Sequence, residues 1–112
     1  MATTQQLGWL GTAWLCTFSR PAGERPVYRH VRAHAPKRIL EIGLGTLVRT
    51  ERLLRVAARS GGIRYIGLDR FEGRDVTDPP GVSLKEAHRR LHSLARVQLV
   101  PGNVDTSLAR LG

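Results

Sequence analysis

A chain of 112 residues, 41% hydrophobic and 24% charged, has room for one small domain with little stability in reserve, and its ordinary composition excludes a disordered tail. The single cysteine, Cys16, excludes an intrachain disulfide and a multi-cysteine zinc site. The net charge of +9 rests almost wholly on arginine, and the arginines are spread along the chain, so they read first as a solvated surface, with nucleic acid left open as a partner.

Met1 to Gln6 is polar. From Leu7 to Phe18 the residues Trp9, Leu10, Trp14, Leu15 and Phe18 recur at helical spacing, which predicts a short helix with the two tryptophans as packing anchors. That run is too short to span a membrane, and no Lys or Arg precedes it as in a signal peptide, so a cytoplasmic location is expected. Ser19 to Gly23 is a break. Pro26 then opens a second helix that carries Val27, Tyr28 and Val31 toward the core and ends at or before Ala35, ahead of Pro36. Residues 1–36 are expected as a helical extension and 37–112 as a separate unit.

From Arg38 the pattern changes. Ile39, Leu40 and Ile42 form a short apolar run that stops at Gly43 and Gly45, as a buried strand of a parallel sheet does. Thr46 to Ala58 reads as a helix with Leu47, Leu54 and Ala58 on one face, stopped by Ser60-Gly61-Gly62. Ile63 to Leu68 is a second strand, closed by Asp69. A loop with Asp75, Asp78, Pro79 and Pro80 leads to Ser83, which forms a capping box with Glu86 and starts a helix through Leu84, Ala87, Leu91 and Leu94. Val97 to Val100 is a third strand ended by Pro101-Gly102, and Asp105 to Leu111 is placed as a further helix. The expected fold is α/β: a Rossmann-like partial parallel sheet of three strands, order 3-2-1, with flanking helices.

A strand that hands over to a helix through glycines leaves room for a ligand against the backbone, and the helix start offers unpaired N–H groups to an anion. A carboxylate closing the next strand, here Asp69, suits the hydroxyls of a ribose. The dinucleotide fingerprint wants a third glycine where this chain has Val48, which counts against that version of the site.

Three markers in order, over residues 37–104, resemble the class I S-adenosylmethionine-dependent methyltransferases. The first is Ile39-Leu40-Glu41-Ile42-Gly43-Leu44-Gly45-Thr46; the second is Tyr65-Ile66-Gly67-Leu68-Asp69; the third is Val97-Gln98-Leu99-Val100-Pro101-Gly102-Asn103. The resemblance implies S-adenosyl-L-methionine as cofactor, with Glu41, Gly43 and Gly45 at its methionine end and Asp69 on the ribose. It also implies Arg70 or Phe71 beside the adenine, and Asn103 and Val104 at the adenine edge. Where the family has its usual third glycine this chain has Leu47, which either narrows the loop or packs under it. Complete members have seven strands in the order 3-2-1-4-5-7-6. By that resemblance the chain supplies the first three, and it is expected to be a fragment of a longer protein. Otherwise the N-terminal segment or a second chain covers the open edge of strand one, and self-association through that edge is expected. The methyl acceptor is left open, and no catalytic residue is nominated.

The weaker signals read as structure. His30 with His34, and His88 with His92, are four apart but lack a third ligand, so no metal site is expected. Glu51 and Arg55 form an i,i+4 pair, and Asp75 and Asp78 shape the loop before Pro79.

Overall fold

Three apolar segments pair as parallel strands, β1 (Arg38–Ile42), β2 (Arg64–Asp69) and β3 (Arg96–Pro101), in the order β1-β2-β3. The computed structural model describes residues 8–58 and 62–102, and within them the fold is α/β and Rossmann-like. The strand order is the expected 3-2-1, met from the other edge. Arg38, Arg64 and Arg96 stand level at one end, and Ile42, Leu68 and Val100 stand level at the other. The carboxyl ends of all three strands therefore emerge together, which is where ligands bind in open α/β sheets.

Among the described residues four α-helices accompany the sheet: α1 (Trp9–Thr17), α2 (Arg25–His34), α3 (Val48–Ala57) and α4 (Leu84–Leu91). The cap of α4 is the expected one, with Ser83 Oγ accepting from the Glu86 amide at 3.1 Å, a cap that stabilises a helix by about 1 kcal/mol. Two successive crossovers that step in the same direction put their helices on the same side of a sheet. Accordingly Leu53, Leu54 and Ala57 of α3 and Ala87 and Leu91 of α4 share one core with Tyr65 of β2, and Ile39, Val97 and Leu99 pack against it. Leu15 and Cys16 of α1 and Tyr28 and Val31 of α2 belong to the same cluster, so the N-terminal helices complete the core under α3.

The structure departs from the sequence pattern in several places, and α4 ends at Leu91 rather than running through Leu94. Trp9 and Trp14 are 68% and 49% exposed, and α1 docks instead through Thr12, Leu15 and Cys16. That helix is apolar almost all round, so its pattern does not choose a face, and the smaller side chains allow the closer approach. The Trp14 ring carries the Arg52 guanidinium 5.8 Å from its centre, a cation–π contact. Val27 is likewise exposed, leaving Tyr28 and Val31 as the inward residues of α2. β1 is not a strand buried on both faces: Leu40 and Ile42 are half exposed, because the core lies on the opposite face with Glu41. Finally, α3 starts at Val48 rather than Thr46, because Gly45, Thr46 and Leu47 are spent on the turn.

Among the described residues no helix is long and apolar enough to cross a membrane. The stop expected at Ser60-Gly61 and the helix expected from Asp105 to Leu111 lie outside the described residues.

Candidate functional site

Beyond Ile42 the chain turns through Gly43 and Gly45, whose φ angles of 77° and 57° lie in the left-handed region that glycine enters without strain. The Gly43 amide donates to the Leu68 carbonyl at 2.8 Å, tying the turn to the end of β2. Between the two glycines, Leu44 is buried over Gly67. A Cβ at Gly67 would lie 3.1 Å from both Leu44 methyls and 3.0 Å from the Tyr65 ring, so the bare strand position is what lets the turn sit low on the sheet.

Leu47 settles the alternative left open at the third-glycine position. It takes a φ of 74°, as a glycine would, yet its side chain is wholly buried beneath the turn at the start of α3. Left-handed backbone costs a leucine about 1–2 kcal/mol, and burying its side chain returns about 1.5–3 kcal/mol. Packing therefore holds the turn in the shape that glycine supplies by freedom.

Glu41 is buried on the core face of β1, and both of its carboxylate oxygens accept hydrogen bonds. Oε1 accepts from Thr50 Oγ1 at 2.5 Å and from the Tyr65 hydroxyl at 2.7 Å; Oε2 accepts from Arg49 Nε at 2.7 Å. Arg49 also donates to the Gly43 carbonyl at 2.8 Å. Glu41 thus links β1, β2 and the first turn of α3, and through Arg49 it fixes the glycine turn. Burial, reinforced by the Glu41 charge and the bond to it, pushes the Tyr65 hydroxyl far above its ordinary range, so it stays a donor.

Asp69 closes β2 and is also buried. Its Oδ2 accepts from Arg74 Nη2 at 2.7 Å, with the Phe71 amide at 3.4 Å. The loop that follows is knotted by its own side chains, since Asp78 Oδ2 accepts from the Asp75 amide at 2.8 Å and from Arg70 at 3.0 Å. These two donors, the amide first, hold the Asp78 carboxyl below its ordinary range. The expected loop-shaping role of Asp75 and Asp78 is what the structure shows. A cleft of about 250 Å³ at the carboxyl end of the sheet is lined by Gly43, Gly45, Asp69, Arg70, Pro79 and Pro80, among others.

The structure therefore brings Gly43, Gly45, Asp69 and Arg70 onto one cleft. Glu41 stands behind it as a support. Of the two residues expected beside an adenine, Arg70 lines the cleft whereas Phe71 is buried in the core. Asn103 and Val104 lie outside the described residues. A second cleft, of about 230 Å³, shares Gly43 and Gly45 and is walled by Glu24, Thr46, Val48 and Arg49. One carboxylate oxygen of Glu24, Oε2, is buried without a hydrogen-bond partner among the described residues.

Glu24, Arg49, Thr50, Tyr65 and Arg74 are participants that sequence reasoning missed. Thr50 carried a signal: it falls in the buried stripe of α3 with Leu54 and Ala57, where a hydroxyl needs a partner. The four histidines are exposed, and the His30–His34 rings simply stack at 4.1 Å. No group of three metal-ligating side chains occurs among the described residues.

Comparison of the chain with protein-family models, with curated proteins and with solved structures gives no match.

Proposed function

We propose that this chain carries the S-adenosyl-L-methionine site of a class I methyltransferase. The observation that carries the reading is the shared cleft: a left-handed Gly43–Gly45 turn at the end of β1 stands beside a buried acid, Asp69, at the end of the adjacent parallel strand. A nucleoside lies across such a pair with its ribose hydroxyls on the acid and its 5′ substituent against the glycines. The loop with Arg70, Pro79 and Pro80 supplies the wall for the base. The second cleft, which shares Gly43 and Gly45 with the first, suits the amino-acid end of the cofactor, because Glu24 lines it and brings a carboxylate to meet an ammonium. Methyl transfer asks chiefly for positioning and a dry pocket, and the Glu41 clamp supplies positioning for the turn.

A dinucleotide cofactor is the competing occupant. Val48, at the place of that fingerprint's third glycine, disfavours it. The substitution Asp69→Ala tests the assignment. It is expected to abolish binding of S-adenosylhomocysteine while the protein still melts cooperatively; undiminished binding would remove Asp69 from the ribose site.

The half-exposed Leu40 and Ile42 bear on partners. They give β1 an apolar outer face at the edge of the described sheet, and a second copy of the chain meeting that edge is part of this reading.

A further inference from the structure

Asp69 is not an open acceptor. Arg74 holds its Oδ2 in a pair whose side chains are only 17% and 7% exposed. The guanidinium reaches that position because Gly81, seven residues later, has no side chain: a Cβ there would run directly into Arg74 Nε, Cζ and Nη2. Here the requirement is space, since Gly81 lies outside the left-handed region. Arg74 Nε is buried without a hydrogen-bond partner among the described residues, so the guanidinium is only partly satisfied where it sits. The cleft over Asp69, at about 250 Å³, falls below the roughly 300–1,000 Å³ of ordinary ligand pockets. Meanwhile the loop keeps ties that do not involve Asp69, namely Arg70 with Asp78 and Glu72 with the Leu84 amide.

We propose that Arg74 is a built-in competitor for Asp69: in the free protein it occupies the carboxylate that a vicinal diol requires, and a nucleoside enters by displacing it. This rests on the reading of the cleft as a nucleoside site and adds the residue that sets its affinity. A site closed by its own side chain binds more weakly in proportion to the fraction of time it is open. Removing the competitor therefore tightens binding of any ligand that presents a ribose diol, whatever its 5′ substituent.

Two substitutions remove it independently. Arg74→Ala deletes the guanidinium. Gly81→Ala pushes it aside, because the far end of a flexible side chain is what meets the added methyl. Calorimetric titration of the wild-type chain, both variants and the double variant with S-adenosylhomocysteine and with adenosine makes the test. Both single variants are expected to bind both ligands about tenfold tighter. The double variant is expected to bind no tighter than Arg74→Ala alone, since Gly81→Ala acts only through Arg74. Hydrogen exchange at the amides of residues 71–82 is expected to quicken in both. Weaker binding in Arg74→Ala would make Arg74 a ligand contact and overturn the proposal. Equal affinity in all four proteins would overturn it while leaving the cofactor reading in place. No binding by any of them would remove the cofactor reading and the competitor with it.

Discussion

The Tyr65 hydroxyl on β2 donates to the Glu41 carboxylate on β1 at 2.7 Å, across the gap left by the missing side chain of Gly67. One bond thus joins the two strands that carry the glycine turn and Asp69. Tyr65→Phe removes a donor from a buried carboxylate and is expected to cost about 1–3 kcal/mol. Urea denaturation measures it, and the midpoint should fall without a change in slope.

The same bond gives an alkaline limit. Burial raises both Tyr65 and Tyr28 above the ordinary tyrosine range. Below about pH 10 neither tyrosine is ionised in either state, and their contribution to stability is constant. Above it the unfolded chain loses phenol protons that the folded protein retains, so stability falls as pH rises. Ultraviolet titration should show the Tyr65 phenol un-ionised in the folded protein near pH 10 and Tyr28 ionising above the ordinary tyrosine range, and Tyr65→Phe should flatten the alkaline fall in melting temperature.

Leu47 shows how far the sequence could be read. The glycine turn, the acid at the end of β2, the strand order and the α4 cap are written in local patterns, because each depends on a residue type at a fixed spacing. A leucine in a glycine's backbone conformation leaves no such trace, since only burial against α3 makes it tolerable. The face on which α1 docks was illegible for a related reason: a helix apolar all round has no preferred side. The Arg74–Asp69 pair joins a strand end to a loop arginine five residues on through the space above Gly81, and no periodicity marks it.

Leu47→Gly therefore separates two views of the turn. If freedom at φ 74° were what the loop lacked, glycine would stabilise it. Because the buried side chain outweighs the strain, the substitution is expected to destabilise by about 1–3 kcal/mol in thermal or urea unfolding.

Glu24 tests the second cleft. Glu24→Gln is expected to weaken binding of S-adenosylhomocysteine by about tenfold, as loss of a charged hydrogen bond does. Binding of 5′-methylthioadenosine, which lacks the amino-acid end, should be unchanged. Equal losses for both ligands would place Glu24 outside the amino-acid subsite.

Leu40 and Ile42 bear on assembly. Light scattering across a dilution series should show a mass that falls with concentration, and Leu40→Lys with Ile42→Lys should give the monomer mass throughout, because charge on an edge strand blocks pairing.

If the Gly43–Gly45 turn and Asp69 form an S-adenosylmethionine site, calorimetric titration of the chain with S-adenosylhomocysteine and, separately, with NAD under the same conditions distinguishes the two cofactors. Saturable binding of S-adenosylhomocysteine with far weaker binding of NAD is the predicted result. Tight binding of NAD without S-adenosylhomocysteine would contradict it.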